Sequence, residues 1–226
     1  MLIEYDMIEL KGGEMMRDIP VFTGEHGVAS LTLSQIPYKQ EAYIRIQSSL
    51  DPEHFLEECA GFCRAAGAER IFFTGYESHN YPVYMELMEM AVLRENLPDT
   101  DAALMPLQEK ILGEWIEIYN RRMRSVPASS YMRVQDGKQL LSAGDAYFVH
   151  RGEQLLGIGV ASGGTIQAIA SVVPGAGRDV LLALNHALFG ERVVVEVASE
   201  NAAAYKLYTS LGFLPTRMIL RWYQFL

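Results

Sequence analysis

At 226 residues the chain is long enough for one large domain or two small ones. Half its residues are apolar and 21% are charged, an ordinary globular balance, and no apolar run approaches the ~18 residues of a membrane span. The net charge of −9 argues against nucleic acid, which calls for clustered Lys and Arg, and suits a cationic amine. Met1-Leu2-Ile3-Glu4-Tyr5-Asp6 has neither the basic region nor the apolar core of a signal peptide, so a cytoplasmic protein without a membrane partner is expected.

In chain order, residues 1–40 predict short strands and turns: weak alternation over 1–10, a turn at Lys11-Gly12-Gly13, and alternation over 27–36 up to Pro37. A strand is expected over 42–47. Asp51-Pro52-Glu53 then opens a helix with Asp as cap and Pro at the first helical position. That helix carries Phe55, Leu56, Cys59, Phe62 and Cys63 and stops near Gly67. The two cysteines, four apart on one face, suit buried reduced thiols; a metal site would need more ligands, and His54 is the one hint of another. No metal is expected. Ile71-Phe72-Phe73-Thr74 predicts a buried strand.

Past Pro82 the spacing predicts a strand over 83–94, a polar loop over 96–101 and a long amphipathic helix over 106–124. Residues 126–132 suit either a short helix or a loop. A hairpin follows, 145–150 and 154–161 around Arg151-Gly152-Glu153, then a strand over 165–173, a glycine-bearing turn over 174–179 and a helix over 180–189. The β-branched run from Val193 ends at Asn201, which can cap the next helix; Ala204, Leu207, Tyr208 and Leu211 share one face of it, and Gly212 stops it. Residues 218–226 predict a closing strand.

The chain also repeats. Gly27-Val28-Ala29-Ser30 recurs as Gly159-Val160-Ala161-Ser162, each followed by a strand, a loop and a helix. Glu-Arg and an apolar strand close each copy, at Glu69-Arg70 and Glu191-Arg192. The first copy has no counterpart of the helix after Asn201.

Asn201-x-x-Ala204-x-x-Leu207-Tyr208-x-x-Leu211-Gly212-Phe213 resembles the C-terminal motif of the GCN5-related N-acetyltransferase (GNAT) superfamily, with every position filled. The element order over 82–226 is similar to that fold as well. The resemblance implies an α/β protein with a mixed, mostly antiparallel sheet flanked by helices: a GNAT-like domain over 82–226, preceded by a partial GNAT-like region over 1–81. It implies transfer of an acyl group, acetyl first, from acetyl-CoA or another acyl-CoA to a small-molecule or peptide amine, by a monomer or homodimer.

On this resemblance the pantetheine arm would lie between strands 165–173 and 193–199 against the backbone of Ile169, Ser171, Val172 and Val173. The pyrophosphate would sit over Gly175, Ala176, Gly177, Arg178 and Asp179. Here the sequence departs from the family, whose longer glycine loop is shortened to Pro174-Gly175-Ala176-Gly177; a plain strand-to-helix turn is the other reading. Asn201 matches a position that contacts the cofactor or a nearby water, and serves equally as a cap. Tyr208 matches the proposed donor to the leaving thiolate, and serves equally as a core aromatic. Glu196 is the candidate base, with Gln167 on the neighbouring strand; Glu86, Glu114 and Glu117 are weaker candidates for an acceptor pocket. His79, His150 and His186 have no partners in sequence, and no catalytic triad, zinc spacing or Walker loop is visible. A GNAT-fold binding or regulatory protein without efficient transfer is the rival expectation.

Overall fold

The computed structural model describes residues 17–127 and 129–225, so the expectations for 1–10 and for Lys11-Gly12-Gly13 lie outside the described residues. The chain forms two compact units. One holds the described residues up to Pro82 together with Tyr223–Phe225, and the other holds Val83–Trp222.

The first unit runs β1 (Ile19–Thr23), β2 (Gly27–Thr32), α1 (Ile36–Lys39), β3 (Glu41–Ser49), α2 (Pro52–Ala65) and β4 (Arg70–Thr74). The strand expected over 27–36 stops at Thr32, because the Asp18 carboxylate takes the N–H groups of Leu33 and Ser34 at 2.8 and 2.9 Å. The short α1 follows, with Pro37 in its first turn. Asp51 caps α2 by accepting from the His54 N–H, and Gly67, at φ +95°, lets the chain turn away beyond the helix end. The apolar face of α2, with Phe55, Leu56, Cys59 and Cys63, packs with Ile44, Ile71 and Phe73 of the strands. Both thiols are buried and pushed up to about 12 by desolvation, which keeps them inert. Tyr223–Phe225 pair antiparallel with β4, and Tyr223 stacks on Phe73 at 5.2 Å between ring centroids.

The second unit runs β5 (Val83–Leu93), β6 (Ala103–Pro106), α3 (Leu112–Met123), α4 (Val134–Ala143), β7 (Ala146–Arg151), β8 (Gln154–Ser162), β9 (Thr165–Ser171), α5 (Gly177–Asn185), β10 (Arg192–Ala198), α6 (Ala202–Ser210) and β11 (Leu214–Phe225), of which residues up to Trp222 belong here. Its sheet order is β11-β5-β10-β9-β8-β7-β6, mixed and mostly antiparallel, with β9 and β10 pairing in parallel. One core lies between α5, α6 and one sheet face, around Val180, Leu184, Val195 and Phe213. Another lies between α3, α4 and the opposite face, around Trp115, Phe148 and Ile158. No helix among the described residues is long and apolar enough to cross a membrane.

Two elements depart from the sequence expectation. Pro106, expected to open the long helix, instead ends β6, over 103–106: Leu104 and Met105 pair with Val149 and Phe148 of β7, and α3 begins only at Leu112 after a 3-10 turn. Residues 134–143, which carried no expectation, form α4, capped by the Asp136 carboxylate on the Arg133 N–H at 2.9 Å and ended at Gly144. Gly137 weakens helix propensity there but admits α3: a Cβ on it would lie 2.7 Å from Ile116 Cδ1.

The repeat has a structural counterpart in each unit. In the first, β1, β2 and β3 pair antiparallel, α2 crosses over, and β4 returns parallel to β3. In the second, β7, β8 and β9 pair antiparallel, α5 crosses over, and β10 returns parallel to β9. The registers slip at matching steps, Val28/Ala29 and Val160/Ala161, which leaves Gln47 and Gln167 as the extra residues of two β-bulges. The repeated glycines serve the same purpose. A Cβ on Gly27 would lie 2.8 Å from the Phe55 ring of α2, and one on Gly159 would lie 2.3 Å from Leu184 of α5. Each lets the crossover helix close onto the sheet.

Candidate active site

The bulge at Gln167 decides the geometry of the second unit. Thr165 and Ile166 pair with Val194 and Val195, and beyond them no β9–β10 pair occurs among the described residues. β9 continues on β8 as far as Ser171, paired with Gly157, while β10 continues on β5 to Ala198, paired with Leu87. The two central strands therefore part after two residue pairs, and beyond Ile166 β9 has a ladder partner on one edge only. An open edge of this kind presents main-chain N–H and C=O groups to whatever enters the gap.

Not every expected residue is free to serve. Ile169 and Ser171 lie on the parted stretch, both half-buried. Val172 has both backbone groups engaged: its N–H donates to Leu156 O at 2.8 Å, and its carbonyl accepts from Arg122 Nη2 at 2.7 Å. The Val173 carbonyl accepts from the Ala176 N–H at 3.2 Å. Arg122 is a residue the sequence reading missed, although the run Arg121-Arg122-x-Arg124 at the end of α3 was visible.

The turn after β9 is tight, with Gly175 at φ +82°, and α5 starts at Gly177, three residues earlier than expected. Gly177, Arg178 and Asp179 are thus the first helical turn and not loop. Their N–H groups precede the first intrahelical acceptor, no side chain caps them, and Val180 is the first to bond back, to Ala176 O at 3.0 Å. Such a turn favours an anion. Arg178 is exposed there. The Asp179 carboxylate opposes an anion, but Arg151 holds it at 2.8 Å while also bonding Asp101 at 2.7 Å. Leu207 of α6 borders the same turn, 3.3 Å from where a Cβ on Gly177 would be.

α6 forms as its sequence predicts. Asn201 Oδ1 accepts from the Ala204 N–H at 3.2 Å, and Gly212 takes the left-handed conformation at φ +84°. Tyr208 is 7% exposed, 5.8 Å from the Phe213 ring, and burial pushes its phenol up to about 12. Ile169, Val173, Ala176, Leu207 and Tyr208 share one apolar cluster, so the fold brings together the parted strand, the α5 turn and α6.

Glu196 is exposed on β10 between Val195 and Val197, which are buried toward α5 and α6; alternation therefore puts Glu196 on the opposite face from Tyr208. It lies across from Glu89 on β5, whose carboxylate binds Arg217 at 2.8 Å and Thr216 at 2.7 Å and is held below the usual carboxylate range mainly by Arg217. Glu86 is paired with Arg221, and Glu114 and Glu117 lie on the exposed side of α3, away from buried Trp115.

No family model matches the sequence, nor does any curated protein. Solved structures do match. A conserved protein of Staphylococcus epidermidis, functionally unknown, matches over 90% of this chain and 91% of its own with TM-score 0.59 at 9% identity. A GCN5-related N-acetyltransferase from Sphaerobacter thermophilus matches over 88% and 76% with TM-score 0.52 at 10% identity. One from Kribbella flavida matches over 90% and 58% with TM-score 0.56 at 11% identity.

Proposed function

We propose that this chain, which has the fold of the GCN5-related N-acetyltransferases, is an acyl-CoA-dependent N-acyltransferase, moving an acetyl group to a primary amine by direct attack. The observation that carries the reading is the parting of β9 and β10 beside the uncapped first turn of α5. A pantetheine arm carries amides that can pair with the one-sided edge of β9 at Ile169 and Ser171. Its pyrophosphate suits the free N–H groups of Gly177, Arg178 and Asp179, with Arg178 adding charge. Asn201 keeps its capping role and contributes by fixing where α6, and so Tyr208, begins.

Proximity would supply most of the rate, since both reactants are held at one gap. With its phenol near 12, Tyr208 stays protonated at neutral pH, while a thiol ordinarily titrates at about 8.5. Full proton transfer to the thiolate is therefore uphill, and the role that fits is hydrogen-bond donation to sulfur as charge develops. Glu196, exposed on the other face, would take the proton from an ammonium acceptor directly or through water. Among the described residues the first unit shows no such gap: β3 and β4 stay paired to Arg45 and Thr74, and a Cβ on the next residue, Gly75, would lie 2.1 Å from Ile46 O.

The second reading is a GNAT-fold CoA-binding or regulatory protein. The occupied backbone of Val172 and the acidic Asp179 in the anion-binding turn favour it. A thermal-shift titration with acetyl-CoA, followed by a thiol-release assay across an amine panel, separates the two. Transfer requires a shift of several degrees at saturation together with thiol release. A shift alone selects the binding protein, and no shift with CoA or any acyl-CoA removes both readings.

A further inference from the structure

Away from that gap, the β1–β2 turn of the first unit is clasped onto α2 through a cluster of titratable groups. The turn, Gly24-Glu25-His26-Gly27, is closed by the Gly24 N–H on Gly27 O at 3.1 Å. Two missing side chains let it come down on the helix. A Cβ on Gly24 would lie 1.9 Å from Glu58 Oε2, and one on Gly27 would lie 2.8 Å from the Phe55 ring. The His26 carbonyl is fixed by Ser49 Oγ at 2.8 Å and the Leu50 N–H at 3.1 Å. Glu58 Oε2 accepts from the Glu25 N–H at 2.9 Å, and Glu58 Oε1 meets His26 Nδ1. One donor atom from each of Glu25, His26 and Glu58 then falls within 4.8 Å of the others.

A fourth donor stands beside them. His54 precedes Glu58 by four residues on α2 and so shares its helical face. Its Nδ1 is held by Asp51 Oδ2 at 2.7 Å, which orients the ring and leaves Nε2 as the nitrogen for a ligand. The His54 and His26 rings stack with centroids 5.6 Å apart. A carboxylate on the far nitrogen is the usual support of a metal-ligating imidazole.

We propose that Glu25, His26 and Glu58 bind a divalent first-row transition-metal ion, zinc by preference, with His54 as the fourth donor. Two imidazoles with two carboxylates suit zinc or its neighbours better than calcium or magnesium, which take oxygen alone. Ligands about 2.0–2.2 Å from an ion sit about 3.4 Å apart in a tetrahedron, so small rotations of these partly exposed side chains close the set. The ion takes the place of the direct contact between His26 and Glu58 and ties the hairpin turn to α2.

The test uses the full chain, stripped with chelator and titrated with zinc chloride by calorimetry and thermal melting. One ion per chain and a melting rise of several degrees are expected. Glu25→Gln keeps the backbone bond to Glu58 and so keeps the turn, yet it is expected to weaken zinc at least about tenfold. His26→Gln should do the same; should that variant not fold, Glu25→Gln and cobalt decide. Bound cobalt should show visible d–d absorption that zinc abolishes. Absence of saturable binding, or affinity unchanged in Glu25→Gln, overturns the proposal.

Discussion

Tyr208 illustrates how much a single residue's chemistry depends on its surroundings. Its ring belongs to the core between α6 and the sheet, and the same burial that makes it structural moves its phenol up to about 12. The structural and catalytic readings are thus linked and need not compete. Tyr208→Phe keeps the ring and loses only the hydroxyl, so folding should be little affected. Under the proposed reaction, kcat should fall about 10- to 100-fold with acyl-CoA affinity nearly unchanged. Steady-state kinetics beside a CoA titration checks this, and an unchanged kcat would remove the residue from the chemistry. Asn201 stands in contrast: its side-chain oxygen accepts from the Ala204 N–H and so starts α6.

At the scale of elements, the two crossover units differ where the strands meet. Both have a bulge just after the parallel pairing ends, two residues on at Gln47 and one residue on at Gln167. In the first unit the chain beyond β4 nevertheless closes in, because Gly75 adopts φ +114° with its backbone against Ile46. In the second unit β10 carries on as Glu196-Val197-Ala198 along β5 and leaves β9. Side chains at the divergence and a glycine at the closure are the local difference. Gly75→Ala should destabilise the protein by more than ~2 kcal/mol, since it combines a disallowed φ with a clash against backbone. Chemical denaturation gives the value, and a loss below ~0.5 kcal/mol would show that the close approach relaxes without cost.

For the whole molecule, the chain end completes the first unit's core. Tyr223 and Phe225 are buried there, Phe225 also stacks on Tyr81 at 5.4 Å, and the three residues 223–225 form the antiparallel partner of β4. Removing residues 223–226 deletes two buried aromatics, each worth about 3–5 kcal/mol when truncated, and leaves the β4 edge unpaired. Amide exchange at Ile71, Phe72 and Phe73 should then lose most of its protection. Protection retained there would mean that β4 does not need this partner.

The sequence determined whatever is written in local period, caps and glycines. The strand, cap, helix and stop over 193–213 form as expected, as does α2 behind Asp51-Pro52, and the repeat was legible as four identical residues. Tertiary structure decided the rest. β6 lacks a β-branched run and exists because β7 offers it a partner; α4 tolerates Gly137 because α3 packs there. The start of α5 at Gly177, the engaged backbone of Val172, the exposure of Glu196 and the parting of β9 from β10 all follow from pairings between segments far apart in the chain. So does the meeting of Glu25 and His26 with Glu58, 33 and 32 residues away. A local pattern specifies which face a residue takes on its own helix or strand; what that face meets is fixed only when long-range pairing brings the strands together.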